Sequence, residues 1–431
     1  MKVQFLEVTD YRCFDTLHVD LDPRLTIFVG INGSGKTAVL DALALFLRLY
    51  AENFYHYAES FDLPSSNLKL GKVESVLSCK IYENRFLTPN NRKNYFNAVL
   101  KFSKNILNEN HLKCDNKNNF SQLADFYKKN NDSDSFPVVA YYASKRILNT
   151  YDRNKTSNST KMHAYGSAFS PQIDFASSLA WFIAKASEEA LEGQRRKDLE
   201  YAIPELSAVR KAVSRALGEY GEPFVTETPP VLFIPDNCTP PNAYRIEELS
   251  DGYRTMLALA MDLARRMAVA NQHVKWAEGT NVLHSPGVVL IDEVELHLHP
   301  SWQQTVLPTL MSLFPNVQFI VTTHSPQILT SIAAKHIRIL KNNSVLTMPE
   351  ETEGADAARV LEDVLGVNSR PQSNEYTQKL NQYTNMVYKE EWDKSAAQKL
   401  RSELEDHYKG SEPKLKELEL HIENSKWERE L

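Results

Sequence analysis

Cysteine is scarce in this sequence, and it contains no long hydrophobic run. The four cysteines, Cys13, Cys79, Cys114 and Cys238, are widely scattered, which excludes a disulfide framework and the ligand spacing of a metal site. No segment approaches the ~18 consecutive apolar residues of a membrane helix. The N-terminus alternates and carries early acidic residues, unlike a signal peptide. We therefore expect a protein of the reducing cytoplasm that has no membrane partner.

Basic residues do not outnumber acidic ones. The 49 Lys and Arg residues against 55 Asp and Glu give a net charge of −6, which excludes a globally basic nucleic-acid coat but permits a local basic patch. Apolar residues make up 42% of the 431 residues, enough for a full core, so wholesale disorder is excluded. The length predicts roughly two to three domains.

Apolar patterning predicts an α/β order of elements. Residues 1–9, 16–21 and 25–30 have the pattern of strands, and an apolar-striped helix begins within GKTAVLDALALFLRLY. Two short continuous apolar runs, 287–291 and 317–323, are typical of strands buried on both faces. A helix between these two runs indicates a parallel connection.

Composition divides the chain into four segments. A polar stretch at about 103–135 predicts a loop or insertion within a first segment, 1–149. Residues 150–230 predict a mainly helical insertion, and 231–350 carry the second group of buried strands. Residues 351–431 predict a charged helical region.

The strongest motif is GINGSGKT at residues 30–37, between an apolar strand and an apolar-striped helix. It matches the pattern G-x-x-x-x-G-K-[ST], in which glycines let backbone N–H groups approach phosphate oxygens at a helix N-terminus. Lys36 can reach the β- and γ-phosphates, and the Thr37 hydroxyl can ligate Mg²⁺. The alternative is a chance glycine-rich turn. The candidate nucleotide-binding residues here are Gly30, Asn32, Gly33, Ser34, Gly35, Lys36 and Thr37.

Two acidic residues directly follow the buried run 287–291, in VVLIDE at 288–293. Asp292 can hold Mg²⁺ directly or through water, and Glu293 can orient or deprotonate an attacking water. The alternative is that both carboxylates cap the following helix. A phosphate-loop motif in the same chain favours the metal and water roles.

Two further segments could contact a phosphate. Ser250 and Gly252 lie just before a strongly helical run, where a hydroxyl, a flexible backbone and a helix N-terminus form an anion site. A plain N-cap explains the same residues, and both interpretations can hold together. His324 directly follows the run 317–323 and can reach the same phosphate. The alternative for His324 is a core histidine with satisfied hydrogen bonds.

In this order the four elements resemble the head domain of ATP-binding-cassette ATPases, and more narrowly the branch of SMC, RecF and OLD proteins. GINGSGKT would be Walker A, LSDGY the signature, VVLIDE Walker B and His324 the switch histidine. The opening VTDYRCF also resembles this branch and would place Arg12 near the nucleotide phosphates. The signature departs from the LSGGQ pattern, and we assign no glutamine loop between residues 50 and 140.

The resemblance implies an α/β fold: an ABC/SMC-like P-loop NTPase head with a mixed sheet, a helical insertion and a helical C-terminal region. It implies ATP and Mg²⁺ as cofactors, with Thr37 and Asp292 as metal ligands and Glu293 and His324 as catalytic residues. It also implies an ATP-sandwich dimer or higher homo-oligomer, in which each nucleotide lies between Walker A of one subunit and the Ser250 and Gly252 turn of the other.

Other segments resemble the PtuA family of Septu anti-phage systems, including its retron-associated members. They are YYASKR at 141–146, DFASSLAWF at 174–182 and ARVLEDVLGVNSRP at 358–371. The chain shows neither a Toprim domain nor an HNH constellation. The resemblance to this family implies an ATP-hydrolysing regulatory subunit that controls a partner HNH nuclease resembling PtuB and contacts DNA through that complex. The alternative is a RecF/SMC-like DNA-binding ATPase of repair or recombination.

Four features have two interpretations each. Arg146 serves the nucleotide or dimer interface, or is a surface arginine. The basic run 195–197 contacts DNA phosphates or forms a solvated helix face. His297 and His299 suggest a metal site, but the family carries L-H-P after Walker B without a metal role. A C-terminal apolar stripe is a docking surface or packs against the head; it comprises Tyr376, Leu380, Tyr383, Val387, Trp392, Leu400, Leu404 and Tyr408.

Overall fold

The computed structural model describes most of the chain. The described residues are 1–55, 67–72, 74–83, 95–104, 110–115, 117–129, 135–144, 161–170, 173–226, 230–348 and 350–430. They form two compact units, Met1–Val360 and Leu361–Leu431. The predicted finer division of residues 1–350 stays a prediction.

A central sheet organises the first unit. Its strands within the described residues are β3 (Leu25–Val29), β7 (Val138–Tyr142), β11 (Gly287–Ile291), β12 (Val317–Thr323), β13 (Ile337–Lys341) and β14 (Ser344–Thr347). Their spatial order is β14-β13-β3-β12-β11-β7, and all pairs are parallel except the pair of β13 with β14. β3, β11 and β12 are buried along their whole lengths, as their continuous apolar runs predict.

The register of this sheet brings four strand ends to one edge. Val29 at the end of β3 lies opposite Thr323, and Ile291 at the end of β11 lies between Val321 and Tyr142. The segments that follow β3, β7, β11 and β12 therefore emerge side by side. We call this the carboxyl edge of the central sheet.

Two antiparallel sheets complete the strands of the first unit. One has the order β2-β1-β4-β5-β6 and the other the order β10-β9-β8. The strands are β1 (Lys2–Tyr11), β2 (Phe14–Asp20), β4 (Glu74–Tyr82), β5 (Tyr95–Lys104), β6 (Asn110–Asp115), β8 (Phe224–Val225), β9 (Leu232–Pro235) and β10 (Ala243–Arg245).

Residues 110–115 and 117–129, within the stretch predicted as a polar loop or insertion, form a strand and a helix. β6 pairs with β5 and extends the first antiparallel sheet, and helix α2 (Lys117–Lys129) follows it. Phe120, Leu123 and Tyr127 of this helix are fully buried. A few apolar residues on one helical face thus outweigh the polar composition of the stretch.

The first unit contains further helices besides α2. They are α1 (Lys36–Glu52), α3 (Phe175–Arg196), α4 (Pro204–Leu217), α5 (Asp251–Ala270), α6 (Pro300–Leu313) and α7 (Pro326–Leu329), and α8 (Ala357–Asp363) spans the boundary of the two units. α5 is buried from Thr255 to Ala270. In the part of the chain that the structure describes, no helix combines the length and the apolar character needed to cross a membrane.

The second unit contains the helices α9 (Glu375–Tyr388), α10 (Ser395–Tyr408) and α11 (Pro413–Glu430). Their apolar faces form a core of Leu380, Tyr383, Val387, Ala397, Leu404, Leu415 and Leu418, against which Tyr376, Trp392, Leu400 and Tyr408 pack. The predicted C-terminal stripe therefore lies in and around the core of this unit. Helical spacing turns these residues toward one another within this unit.

Candidate active site

The phosphate loop, residues 30–35, joins β3 to α1 at the carboxyl edge. Gly35 has a φ of 94°, and a Cβ at this position would lie 2.8 Å from Cys13 Sγ and collide with the Phe14 ring. Both the left-handed backbone and the close packing therefore require glycine. Asn32 and Gly33 lie at the exposed tip of the loop.

Lys36 is buried beneath this loop. Its Nζ donates hydrogen bonds to the carbonyl oxygens of Gly30 at 2.9 Å and Ile31 at 3.0 Å. Burial lowers the pKa of the ammonium group, although the charge of Asp292 acts in the opposite direction. The buried Ser34 Oγ has no hydrogen-bond partner among the described residues. The Lys36 ammonium contacts loop carbonyl oxygens, and the Ser34 hydroxyl is unpaired in the part of the chain that the structure describes. Both groups could therefore donate hydrogen bonds to the phosphate oxygens of a nucleotide.

Asp292 directly follows β11 and bonds to the first turn of α1 and to the end of β12. Its Oδ2 accepts a hydrogen bond from Thr37 Oγ1 at 2.9 Å, and its Oδ1 accepts one from Thr322 Oγ1 at 2.6 Å. The carboxylate is 1% exposed. A carboxylate beside a threonine hydroxyl supplies the hard oxygen donors that Mg²⁺ prefers, so these residues fit the predicted metal.

Glu293 follows Asp292 in a left-handed conformation, with a φ of 48°, and is half-buried. Its N–H donates to Thr322 Oγ1 at 2.7 Å. The Thr322 hydroxyl thus accepts from the Glu293 backbone while donating to the Asp292 carboxylate. We did not predict Thr322, although a polar residue near the end of an apolar run was a usable signal.

His324 lies just beyond the end of β12 and is half-buried. Its backbone N–H donates to Glu295 Oε1 at 2.6 Å, and the Val294 N–H donates to the carbonyl oxygen of Thr322 at 3.0 Å. These bonds hold the segments that follow β11 and β12 together. Glu295 was also missed by the sequence analysis, which considered only the two acids next to the strand.

These contacts bring Lys36, Thr37, Asp292, Glu293 and His324 to one edge of a parallel sheet, after a phosphate loop. The family model for the AAA ATPase domain matches residues 1–329. The chain belongs to the AAA ATPase domain family. This membership confirms the coarse prediction of an ATPase and agrees with the α/β architecture of the first unit.

The ATPase is similar to retron proteins over most of its length. It is 28% identical to the Retron Ec83 probable ATPase of Escherichia coli, over 99% of this chain and 88% of that protein. It is 24% identical to the Retron Vc95 probable ATPase of Vibrio cholerae, over 84% of this chain and 79% of that protein. The Septu protein PtuA of Bacillus mycoides is 39% identical over 24% of this chain and 13% of its own length. These matches confirm the predicted resemblance to PtuA and retron-associated ATPases.

Among solved structures, the SMC head bound to the C-winged helix domain of ScpA matches this ATPase with a TM-score of 0.49. The identity is 12%, and the match covers 81% of this chain and 98% of that one.

Arg12 of this ATPase is anchored on the Walker A helix. Its Nη1 donates to Asp41 Oδ2 at 2.6 Å, and its Nε donates to Asn67 Oδ1 at 3.0 Å. Asp41 lies four residues after Thr37 on α1, and therefore one helical turn away. Contact between Arg12 and a nucleotide stays a prediction.

The signature turn lies at the N-terminus of α5. Ser250 is the exposed N-cap residue, and its side chain makes no capping hydrogen bond. A Cβ on Gly252 would lie 2.9 Å from the His297 carbonyl oxygen, so only glycine allows this approach. Among the described contacts of this chain, no hydrogen bond joins Ser250 or Gly252 to residues 30–37.

One histidine of the pair after Walker B caps a helix. His299 is the N-cap of α6, and its side chain accepts from the Ser301 N–H. His297 is exposed and adopts a left-handed φ of 65°. Within the described ranges, no group of three or more His, Cys, Asp and Glu side chains is placed to hold a metal ion.

The basic run at 195–197 lies at the end of α3. Arg195 and Arg196 pair with Glu192 at 2.8 and 3.2 Å, which reduces the free positive charge there. Arg146 lies outside the described residues, so both interpretations of it stay open.

Proposed function

We propose that this ATPase binds ATP with Mg²⁺ and hydrolyses it to ADP and phosphate. We further propose that nucleotide-dependent pairing of two copies controls a partner HNH nuclease resembling PtuB in an anti-phage complex. Nucleotide binding is supported above all by the hydrogen-bonded cluster of Thr37, Asp292 and Thr322 beside Lys36. The defence role is supported by similarity to retron ATPases and PtuA.

The phosphate loop supplies the binding groups. Backbone N–H groups of residues 30–37, the Lys36 ammonium and the Ser34 hydroxyl would hold the β- and γ-phosphates. Thr37 and Asp292 would hold Mg²⁺, which polarises phosphate oxygens when it is bound. Thr322 fixes the Asp292 carboxylate through its 2.6 Å hydrogen bond.

Glu293 and His324 supply the groups for hydrolysis. The Glu293 carboxylate would take a proton from the attacking water. The oxygen of this water would bond to the γ-phosphorus while the bond from that phosphorus to the ADP oxygen breaks. The hydrogen bond from the Glu293 N–H to Thr322 orients this residue. The His324 ring would donate a hydrogen bond to the γ-phosphate, on a backbone held by Glu295.

A second copy of the chain would complete the site. The exposed Ser250 heads α5, a helix of 20 residues, and such an N-terminus favours a phosphate presented from outside. This arrangement agrees with the lack of a hydrogen bond from Ser250 or Gly252 to the phosphate loop of the same chain within the described residues. Helices of the second unit would contribute to assembly or partner docking.

Replacing Glu293 separates binding from hydrolysis. We expect Glu293→Gln to bind fluorescent ATP as the parent does, to self-associate with ATP, and to lose about 100-fold or more in turnover. Lys36→Ala is the matched control and should lose binding itself. Phosphate release, fluorescence titration and light scattering measure the three quantities.

Full turnover by Glu293→Gln would contradict the assignment of the base. A particle size that does not change when ATP is added would contradict nucleotide-dependent pairing of two copies. Co-expression with an HNH nuclease resembling PtuB tests the partner: we expect the two proteins to copurify. Salt-sensitive duplex binding by the ATPase alone would favour the RecF-like alternative.

A further inference from the structure

Two adjacent tyrosines at the carboxyl end of β7 make hydrogen bonds in opposite directions. Tyr141 Oη donates to Asp41 Oδ1 at 2.7 Å, and Tyr142 Oη donates to Asp262 Oδ2 at 2.9 Å. Successive side chains of a strand point to opposite faces of its sheet. One strand end therefore contacts α1 on one face and α5 on the other.

The contact with α1 belongs to the Walker A side of the site. Asp41 lies one helical turn beyond Thr37 and accepts from Arg12 as well as from Tyr141. A phenol and a guanidinium thus share one carboxylate. Burial, and then the charge of Asp41, raise the pKa of Tyr141 far above its ordinary value, so its hydroxyl stays a donor.

The contact with α5 belongs to the signature side. Asp262 is fully buried, and besides Tyr142 it accepts from Arg265 at 2.9 Å and from Arg266 at 2.7 Å. Burial alone would raise the pKa of Asp262, but the charges of Arg266 and Arg265 lower it to about 2. Arg266 also donates to the carbonyl oxygen of Ala164 at 2.8 Å. The charged carboxylate therefore fixes α5 to the end of β7.

The same strand end also contacts Walker B. The Asp292 N–H donates to the carbonyl oxygen of Tyr142 at 2.8 Å. Tyr142 thus bonds by its main chain to the residue assigned to Mg²⁺ and by its side chain to the signature helix. Burial, and then the charge of Asp262, raise the pKa of Tyr142 well above its ordinary value, which keeps the phenol protonated.

We propose that Tyr141 and Tyr142 are positioning residues that hold the Walker A helix and the signature helix to one strand end, so that occupation of the phosphate loop sets the Ser250 turn. This inference rests on the proposed ATPase function. Tyr141 acts through Asp41 on the nucleotide-binding helix, and Tyr142 acts through Asp262 on the helix that meets the second copy.

Removing the two tyrosine hydroxyls one at a time should change kcat in one variant and KM in the other. Tyr142→Phe should lower kcat about ten-fold and leave KM for ATP within about two-fold, since the phosphate loop is intact while one bond to a charged group is lost. Tyr141→Phe should raise KM about five-fold or more and change kcat little. Steady-state phosphate release by the full chain measures both constants.

Tyr165→Phe is the matched control. Tyr165 is 1% exposed and donates to the carbonyl oxygen of Pro137 at 2.9 Å, beside the opposite end of β7. Losing this hydroxyl should lower the melting temperature without changing either kinetic constant. If Tyr141→Phe folds poorly, Asp41→Asn, whose side chain is 27% exposed, should reproduce the increase in KM.

The outcomes distinguish the two proposals. A parent chain that turns over ATP, with tyrosine variants kinetically equal to Tyr165→Phe, would overturn the positioning role alone. A parent without ATP turnover would overturn the proposed function and this role with it. A lower kcat alone in Tyr142→Phe and a higher KM alone in Tyr141→Phe would support the role, because a purely structural loss would not separate the two constants.

Discussion

The carboxyl edge of the central sheet and the core of the second unit are stabilised by different groups. At the edge, buried polar side chains bond across segments far apart in sequence, as Asp292 does with Thr37 and Thr322. In the second unit, buried apolar side chains form the core, and ion pairs such as that of Lys379 lie on the surface.

This difference separates positioning from stability. Burying a polar group costs free energy unless the group makes hydrogen bonds in the folded protein. Its partners must therefore lie at defined positions. An apolar core needs only the right volume and pattern. We therefore expect substitutions at the edge to change function and stability together, and substitutions in the second unit to change stability and assembly alone.

The largest effect is expected at Asp262. Asp262→Ala would leave Arg265 and Arg266 buried without their counter-charge, which typically costs about 3–5 kcal/mol. Urea unfolding of the full chain measures the loss in free energy. Glu188→Ala removes an exposed carboxylate paired with Lys185 and should change stability much less.

Acid titration gives a second measure of the same residue. The pKa of Asp262 is held at about 2 by Arg266 and Arg265 against the effect of burial. Its charge therefore contributes stability that is full above the ordinary aspartate pKa and is lost as the pH falls from about 4 toward 2. Asp262→Ala should lack this component. An unchanged acid profile in Asp262→Ala would contradict the assignment.

An intermediate effect is expected in the core of the second unit. Leu418→Ala removes a fully buried side chain and should cost about 2–4 kcal/mol by leaving a cavity. ATP turnover should persist, while oligomer size or retention of the nuclease should fall if this unit serves assembly. Chemical unfolding, phosphate release and copurification measure these effects.

Leu420→Ala is the control for Leu418, since Leu420 is 61% exposed. Loss of ATP turnover in Leu418→Ala would break the proposed separation of the two regions. Unchanged assembly, both in Leu418→Ala and after deletion of residues 372–431, would contradict a role of this unit in docking.

The smallest effect is expected at the surface. Lys379 pairs with Glu375 at 2.7 Å and with Glu403 at 2.9 Å. Exposed pairs contribute little, so Lys379→Ala should shift the melting temperature by about 1 °C or less. A thermal scan that shows a shift comparable to that of Leu418→Ala would mean that surface charge stabilises this unit.

Elements with strong local patterns were predictable. The continuous apolar runs at 287–291 and 317–323 predicted β11 and β12 because strands buried on both faces need such side chains. The phosphate loop was predictable because its backbone requires glycine at fixed positions, as at Gly35. The strand at 110–115 and the helix at 117–129 were not predictable from composition, since pairing with β5 and burial of Phe120 and Tyr127 decide their structure.

The positions of motif residues were predictable, but their partners were not. Thr322, Glu295 and Asp41 were assigned no role from the sequence, and Tyr141 lies in a segment noted only for its resemblance to PtuA. Each nevertheless bonds to a predicted site residue or shares a carboxylate with one. Such a residue is recognised by its contact with a segment that is distant in sequence. Residue spacing along the chain does not report that contact.

By itself the sequence determined the phosphate loop and the acidic strand end, because backbone sterics and apolar periodicity are local properties, and its motifs carried the resemblance to the family. The tertiary structure alone decided that Asp292 meets Thr37 and Thr322, that the C-terminal stripe forms its own core, and that one strand end contacts both α1 and α5. Hydrogen bonds between segments hundreds of residues apart depend on sheet register, which only the folded chain establishes.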